Sequence, residues 1–209
     1  MCLEFPIKDT QISALHAVRH QQILELVRQS GARQVLDLGC GSGIFLWHLL
    51  NEPQIENAIG LEQSGISLLQ AREKLAVYLD ATPCRLRLIN GSYTDPHPEL
   101  HSFPMAVMIE TIEHIEPKHL SMVEQNVFAR MRPKQIILTT PNSEYNSLYG
   151  LLPGEFRDPD HQFEWTRAKF QQWANGVAAR HDYAVRFAGI GEADLQLGSP
   201  TQMAIFHRV

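Results

Sequence analysis

The chain has 209 residues, 44% of them hydrophobic, which is enough to bury one sizeable core and makes a single domain over 1–209 the default expectation. A formal net charge of −5 excludes non-specific coating of nucleic acid, which rests on phosphate neutralisation, but leaves binding at one defined end open. The three cysteines, Cys2, Cys40 and Cys84, are widely spaced and include no C-x-x-C pair, a pattern of reduced thiols in a cytoplasmic protein. Met1 to Pro6 offers no basic region followed by an apolar one, and no apolar run approaches the ~20 residues that span a bilayer, so no membrane association is expected.

Residues 10–29 are predicted as an amphipathic helix, with Ile12, Leu15 and Val18 on one face and Ile23, Leu26 and Val27 continuing it; Ser30-Gly31 ends it. Val35 to Leu38 is a buried strand, and Gly39-Cys40-Gly41-Ser42-Gly43 is a turn in which glycines let the backbone approach a ligand. A helix follows from Gly43 to Leu50. Strand, glycine turn and helix make a nucleotide site at the carboxyl end of a strand. The spacing is G-x-G-x-G with Asp37 two residues ahead, which resembles the first motif of S-adenosylmethionine (SAM) methyltransferases. That resemblance implies that Asp37, Gly39, Cys40, Gly41 and Gly43 hold the amino-acid end of SAM. An NAD site competes, but the bulky run around Trp47 lacks the third glycine of that fingerprint; an ordinary tight turn is the bland alternative.

Ala58 to Glu62 is a second parallel strand ending on a carboxylate about twenty positions past the loop, the place of a ribose ligand, with Gln63 beside it. Ser64 is placed to cap a helix with a stripe of Leu68, Ala71, Leu75 and Leu79. Arg85 to Ile89 alternates as a third strand. By the SAM resemblance, Ser92 and Tyr93 after it lie beside the adenine, although Tyr93 fits equally as a packed loop aromatic.

Met105 to Ile109 is a continuous apolar run of the kind a central parallel strand needs; Ile109 ends it against the expected cofactor. Glu110, Glu113 and His114 follow at i, i+3 and i+4, so one helical turn brings them to one side. Two carboxylates held that close repel, and a hard or borderline divalent cation suits carboxylate with imidazole; a solvated charged turn is the alternative. Pro117 opens a helix lined by Leu120, Val123, Val127 and Met131, and Ile136 to Thr140 is a fifth strand broken by Pro141-Asn142. Tyr145 to Trp165 lacks periodicity and is expected to be a long functional loop. Within it, His161 is a candidate to complete the metal site, and Arg157, Phe163 and Trp165 are candidates to grip a phosphate or stack on a base.

Glu110-Thr111-Ile112-Glu113-His114, Thr139-Thr140-Pro141-Asn142-Ser143-Glu144-Tyr145-Asn146 and Asp160-His161-Gln162-Phe163-Glu164-Trp165-Thr166-Arg167 together resemble the HEN family of 3'-terminal RNA ribose 2'-O-methyltransferases. The likeness extends from Pro6-Ile7 to Gly198-Ser199-Pro200-Thr201-Gln202-Met203-Ala204. It implies a Rossmann-like, SAM-dependent methyltransferase fold of class α/β, a mostly parallel seven-stranded sheet with helices on both faces. It also implies Glu110, Glu113, His114 and His161 as catalytic ligands of one magnesium or manganese ion, and Asn142, Arg157, Phe163 and Trp165 beside an RNA 3' end carrying a free 2',3'-diol. The biological setting implied is RNA end protection, RNA repair or RNA-mediated gene silencing.

Two departures stand out. Glu62 occupies a position where such proteins commonly have aspartate, and Asp158 replaces a histidine common in bacterial relatives. Those relatives often carry an additional N-terminal half that assists an RNA ligase, so the chain is expected either to be part of a longer protein or to have a separate ligase or repair partner. Thr166 is placed to cap a last helix carrying Ala168, Phe170, Trp173 and Val177, before strands at 183–187 and 203–206. His16, His20, His48, His97, His101, His119, His181 and His207 lack comparable acidic company and are expected on the surface or in the ordinary core. A small-metabolite methyltransferase and a non-catalytic RNA-end or ligase-partner module are the competing functions.

Overall fold

The computed structural model describes residues 7–209, with side chains from Ala14 onward; Met1 to Pro6, including Cys2, and the Ile12 side chain lie outside the described residues. In chain order the elements are α1 (Ile7–Ser30), β1 (Gln34–Leu38), α2 (Ile44–Leu50), β2 (Asn57–Glu62), α3 (Gly65–Lys74), α4 (Ala76–Leu79), β3 (Leu86–Asn90), β4 (Met105–Ile109), α5 (Leu120–Val123), β5 (Gln135–Pro141), α6 (Arg167–Arg180), β6 (Tyr183–Ile190) and β7 (Thr201–Arg208). They form one seven-stranded sheet of order β3-β2-β1-β4-β5-β7-β6. The pairs among β3, β2, β1, β4 and β5 are parallel, and β7 runs antiparallel to both β5 and β6.

The β1, β4 and β5 sequences are apolar on both faces because the sheet is covered on both. Leu36, Leu38, Met108, Ile136 and Leu138 pack on one side with Phe128 and Phe170. Val35, Val107 and Ile137 pack on the other with Ile23, Leu46 and Leu49. Strand order reverses between β1 and β4, paired through Val35 with Met105 and Asp37 with Val107. Such a switch point opens a crevice at the strands' carboxyl ends, and it sets the glycine loop after β1 beside the acidic turn after β4.

Three local expectations need correction. Val18 is 39% exposed, and the buried stripe of α1 runs through Leu15, Arg19, Ile23 and Val27, with Arg19 only 3% exposed. Successive i+4 steps place all four on one face, and a charged residue inside that stripe escapes a search for apolar ones. The stripe after Ser64 does reach Leu79, half-buried against the same core as Leu68, Ala71 and Leu75, but not on one helix, because α3 stops at Lys74 and α4 is a separate short turn. The segment expected as a loop from Tyr145 begins inside a 3₁₀ turn, Ser143–Tyr149, and is anchored by buried Asn146, Phe163, Glu164 and Trp165. The helix after Pro117 does form, and Leu120, Val123, Val127 and Met131 are all buried although it widens to a π-helix over Glu124–Met131.

Candidate active site

Glycine is required at the loop after β1. Gly39 has φ +85°, and a Cβ there would lie 2.5 Å from Thr111 Cγ2. Gly43 has φ +77°, and its Cβ would lie 2.8 Å from Leu75 Cδ1. Both sit in left-handed backbone that side chains disfavour. The amides of Gly39 and Cys40 donate to Leu61 O at 2.8 and 3.1 Å, tying the loop to β2. Glu62 braces it from the other side, accepting from Gly41 N at 2.8 Å and from Ser64 N at 2.7 Å.

Asp37 is 1% exposed and its Oδ2 has no hydrogen-bond partner. Burial foremost, and then the charge of Glu62, push its carboxyl up to about 8. Burial likewise raises the Cys40 thiol, so this cysteine is a packing residue at ordinary pH.

Two adjoining cavities occupy the crevice. One, of about 330 Å³, is bordered by α1, the glycine loop, Ile109, Glu110, His114, Tyr149 and His161. The other, of about 620 Å³, is bordered by Glu62, Gln63, Ser92, Tyr93, Asp160 and Gln162. Gly39, Gly41, Glu110 and His114 line both. Every residue that the sequence linked to the cofactor borders one of them except Gly43, whose place is the packing behind the loop. The Tyr93 hydroxyl is occupied, donating to Thr111 O at 2.9 Å, so only its ring is presented.

The turn after β4 gathers the candidate metal ligands. Glu113, His114 and His161 offer ligand atoms within 4.8 Å of one another. Glu113 is fully buried; its Oε2 accepts from Thr140 Oγ1 at 3.0 Å, while Oε1 has no partner. Burial first, and then the charge of Glu110, raise its pKa. Burial first, and then the neighbouring His161, lower that of His114, which disfavours its protonated form. The His161 ring lies 4.9 Å from that of His114, and its Nδ1 donates to the Glu164 carboxylate at 2.6 Å, so Nε2 is the ring nitrogen left for a ligand. Burial alone would raise the pKa of Glu164, but hydrogen bonds from His161, Asn146 and the Arg157 amide outweigh it and hold the carboxyl below its ordinary value.

Glu110, the fourth expected ligand, stands beside this cluster rather than in it. Its Oε2 is 3.0 Å from Arg19 Nη2, its Oε1 is buried without a partner, and its backbone adopts φ +53°, a strained conformation for a non-glycine residue. Two imidazoles, the buried Glu113 carboxylate and the half-buried Glu110 carboxylate, the last two each with an open oxygen, are a donor set for a hard or borderline divalent cation, so the residues present fit one.

Sequence reasoning missed Arg19, Thr140 and Glu164 here. Arg19 carried a signal, a lone charge in phase with Leu15 and Ile23, whereas the partners of Thr140 and Glu164 are visible only in three dimensions. His16 and His20, set aside by sequence, both border the smaller cavity.

The expected RNA-contacting set is largely displaced. Asn142 is fully buried and donates to Leu197 O and Ser199 O at 2.8 and 2.9 Å, a structural clasp. Phe163 and Trp165 are 6% and 5% exposed and stack on each other at 4.3 Å, with no free face for a base. A loop rich in aromatics reads as a binding surface, but these two rings close the core under α6. Arg157 does border the smaller cavity, yet its guanidinium already donates to Asn146 Oδ1, Pro200 O and Asn142 O.

The sheet order and the glycine loop at its switch point define an α/β methyltransferase fold, and residues 36–134 match a protein-family model described as a methyltransferase domain. The methyltransferase domain of bacterial CtHen1 aligns at 37% identity with a TM-score of 0.84, covering 93% of this chain and 98% of that one. The crystal structure of the small RNA methyltransferase HEN1 aligns at 34% identity with a TM-score of 0.87, over 100% of this chain and 26% of that one. The chain belongs to the Hen1 methyltransferase family. The small RNA 2'-O-methyltransferase of Gallus gallus is 36% identical over 203 residues, 92% of this chain and 53% of that protein. The protein of the same name from Arabidopsis thaliana is 34% identical over 208 residues, 91% of this chain and 22% of that protein. The chain thus spans about half or less of these curated relatives.

Proposed function

We propose that this chain transfers the methyl group of SAM to the 2'-hydroxyl of the 3'-terminal ribose of RNA, with a magnesium or manganese ion held by Glu110, Glu113, His114 and His161. The observation that carries the proposal is the convergence of Glu113, His114 and His161, with His161 oriented by Glu164, at the mouth of the glycine loop. Kinship with proteins named small RNA 2'-O-methyltransferase supplies the substrate class.

In this reading the larger cavity takes the adenosine of SAM. Glu62 has lone pairs left beyond its two backbone bonds and accepts from the ribose hydroxyls, while Ser92 and the Tyr93 ring flank the base. The unpartnered Oδ2 of Asp37 meets the ammonium of the methionine end, whose positive charge favours the ionised carboxylate. The cation, when bound, would supply electrostatic stabilisation for charge developing on the attacking ribose oxygen. The Glu164 carboxylate fixes the His161 tautomer and ring, and Thr140 fixes Glu113, so the donor set is oriented before the substrate arrives. Phe163 and Trp165, buried in the core, and the clasp around Asn142 hold in place the segment that carries His161 and Glu164. The role is end protection or repair of RNA, and a ligase or other repair protein is the corresponding partner.

Transfer of labelled methyl from SAM to a short RNA, with manganese present, tests the proposal. Incorporation that disappears on chelation and in His161→Ala supports it; transfer that is indifferent to both overturns it.

A further inference from the structure

The proposed substrate site needs a surface for the terminal base, and the aromatics nominated from sequence are buried in the core. Among the described residues, the rings bordering the smaller cavity are His16, His20, Phe45, His114, Tyr149 and His161. His114 and His161 belong to the cluster, and Phe45 is 3% exposed. His16 is bound through Nδ1 to Arg19, and His20 packs its ring against Phe45 and His48. Tyr149 is the remaining ring, half-buried at the cavity wall.

Tyr149 is unusually well supported for a residue at the end of a 3₁₀ turn. The guanidinium carbon of Arg157 lies 5.0 Å from its ring centroid, and the Tyr145 ring lies 5.4 Å away. Arg157 is itself fixed by three acceptors, Asn146 Oδ1 at 2.7 Å, Pro200 O at 2.8 Å and Asn142 O at 2.5 Å. A pinned cation against the ring restricts it at little entropic cost on binding. Burial foremost raises the Tyr149 hydroxyl pKa, and Tyr149 shares the wall of the smaller cavity with Glu110, His114 and His161, which places it beside the candidate metal site. Tyr149 does not border the larger cavity, so the flat ligand it serves is not the adenine expected there.

We infer that Tyr149 is the platform on which the base of the 3'-terminal nucleotide stacks. The inference rests on the function proposed above and names the residue that positions the terminal nucleoside for it. Every base presents a π-face, so such a platform grips the end without reading its sequence. It also accounts for the position of Arg157, which acts on the substrate through Tyr149 rather than by its own donors.

The test uses wild-type protein, Tyr149→Phe and Tyr149→Leu with three RNAs that all end in a 2',3'-diol. One is unmodified, one carries 2-aminopurine as its last base, and one ends in an abasic ribose. Binding of the 2-aminopurine RNA is expected to quench its fluorescence with wild type and Tyr149→Phe, and not with Tyr149→Leu. The leucine variant is expected to raise KM for unmodified RNA about tenfold or more, with a much smaller change in kcat. The abasic RNA is expected to lose a similar factor with wild type and no further factor with Tyr149→Leu, because the two changes remove one contact.

Equal wild-type affinity for abasic and unmodified RNA overturns the inference without needing any variant. Quenching that persists in Tyr149→Leu, or penalties that simply multiply, also overturns it. If wild type methylates unmodified RNA while these base effects are missing, Tyr149 alone is misassigned; if it methylates no RNA, the proposed function falls with it.

Discussion

Glu164→Gln isolates the carboxylate behind the candidate metal site. Glu164 accepts three hydrogen bonds, from His161 Nδ1 at 2.6 Å, Asn146 Nδ2 at 2.6 Å and the Arg157 amide at 2.7 Å, in a position only 9% exposed. Glutamine keeps the shape but offers one acceptor oxygen and turns an NH₂ toward one of these donors. Losing one buried charge-assisted bond costs about 2 kcal/mol, a fall in Tm of roughly 4–8 °C at this size. The larger effect is expected on metal binding. A carboxylate that orients a ligating histidine is worth about ten- to a hundredfold in metal affinity, or roughly 1.4–2.8 kcal/mol. Calorimetric titration of manganese into wild type, Glu164→Gln and His161→Ala measures this directly. Glu164→Gln is expected to bind within that range below wild type, and His161→Ala to bind more weakly still. A folded Glu164→Gln protein that takes up manganese like wild type would refute the orienting role.

Three further perturbations probe the rest of the crevice. Asp37 ionises near 3.8 when unfolded and is pushed up to about 8 when folded, so between those values the unfolded chain binds fewer protons and this residue's contribution to stability falls as pH rises. Relative to Asp37→Asn, the cofactor-free wild type should therefore lose up to about 1.4 kcal/mol per pH unit from pH 5 to 8 in denaturant titrations; a constant difference would contradict the assignment. Gly39→Ala should destabilise by about 1–3 kcal/mol and abolish SAM binding, and adding Thr111→Ser, which removes the clashing Cγ2, should restore only part of the stability because the positive φ remains. Phe163→Ala should lower stability by about 3–5 kcal/mol while Phe163→Leu, if folded, keeps RNA affinity near wild type; a selective loss of RNA binding in Phe163→Leu would restore Phe163 to the substrate surface.

The strands were legible because their chemistry is local. Val35 to Leu38 and Met105 to Ile109 are short apolar runs bounded by glycine or charge, and they lie within β1 and β4. The glycine spacing and Glu113-His114 identified the crevice for the same reason, whereas Glu110, at φ +53°, leaves the helical turn expected of it and His161 joins from a later loop. What sequence did not reveal depends on residues far apart in the chain. Arg19 and Glu110 are 91 positions apart (110 − 19) and meet as an ion pair only because α1 packs over the switch point. Aromaticity in a loop cannot distinguish Phe163 and Trp165, which stack inward, from Tyr149, which borders the cavity. Asn142 reads as a polar loop residue until its two carbonyl partners arrive from beyond residue 196.

The most direct measurement compares methyl transfer to three versions of one short RNA, ending in a free 2',3'-diol, a 2'-deoxyribose or a 3'-phosphate, each with manganese and with chelator. An ion held by Glu110, Glu113, His114 and His161 would stabilise charge on the attacking oxygen of a terminal diol, so the account predicts transfer to the diol RNA alone, lost on chelation, with the label recovered as a 2'-O-methyl group on the last nucleotide. Equal transfer to all three ends, or label at an internal position, would contradict it.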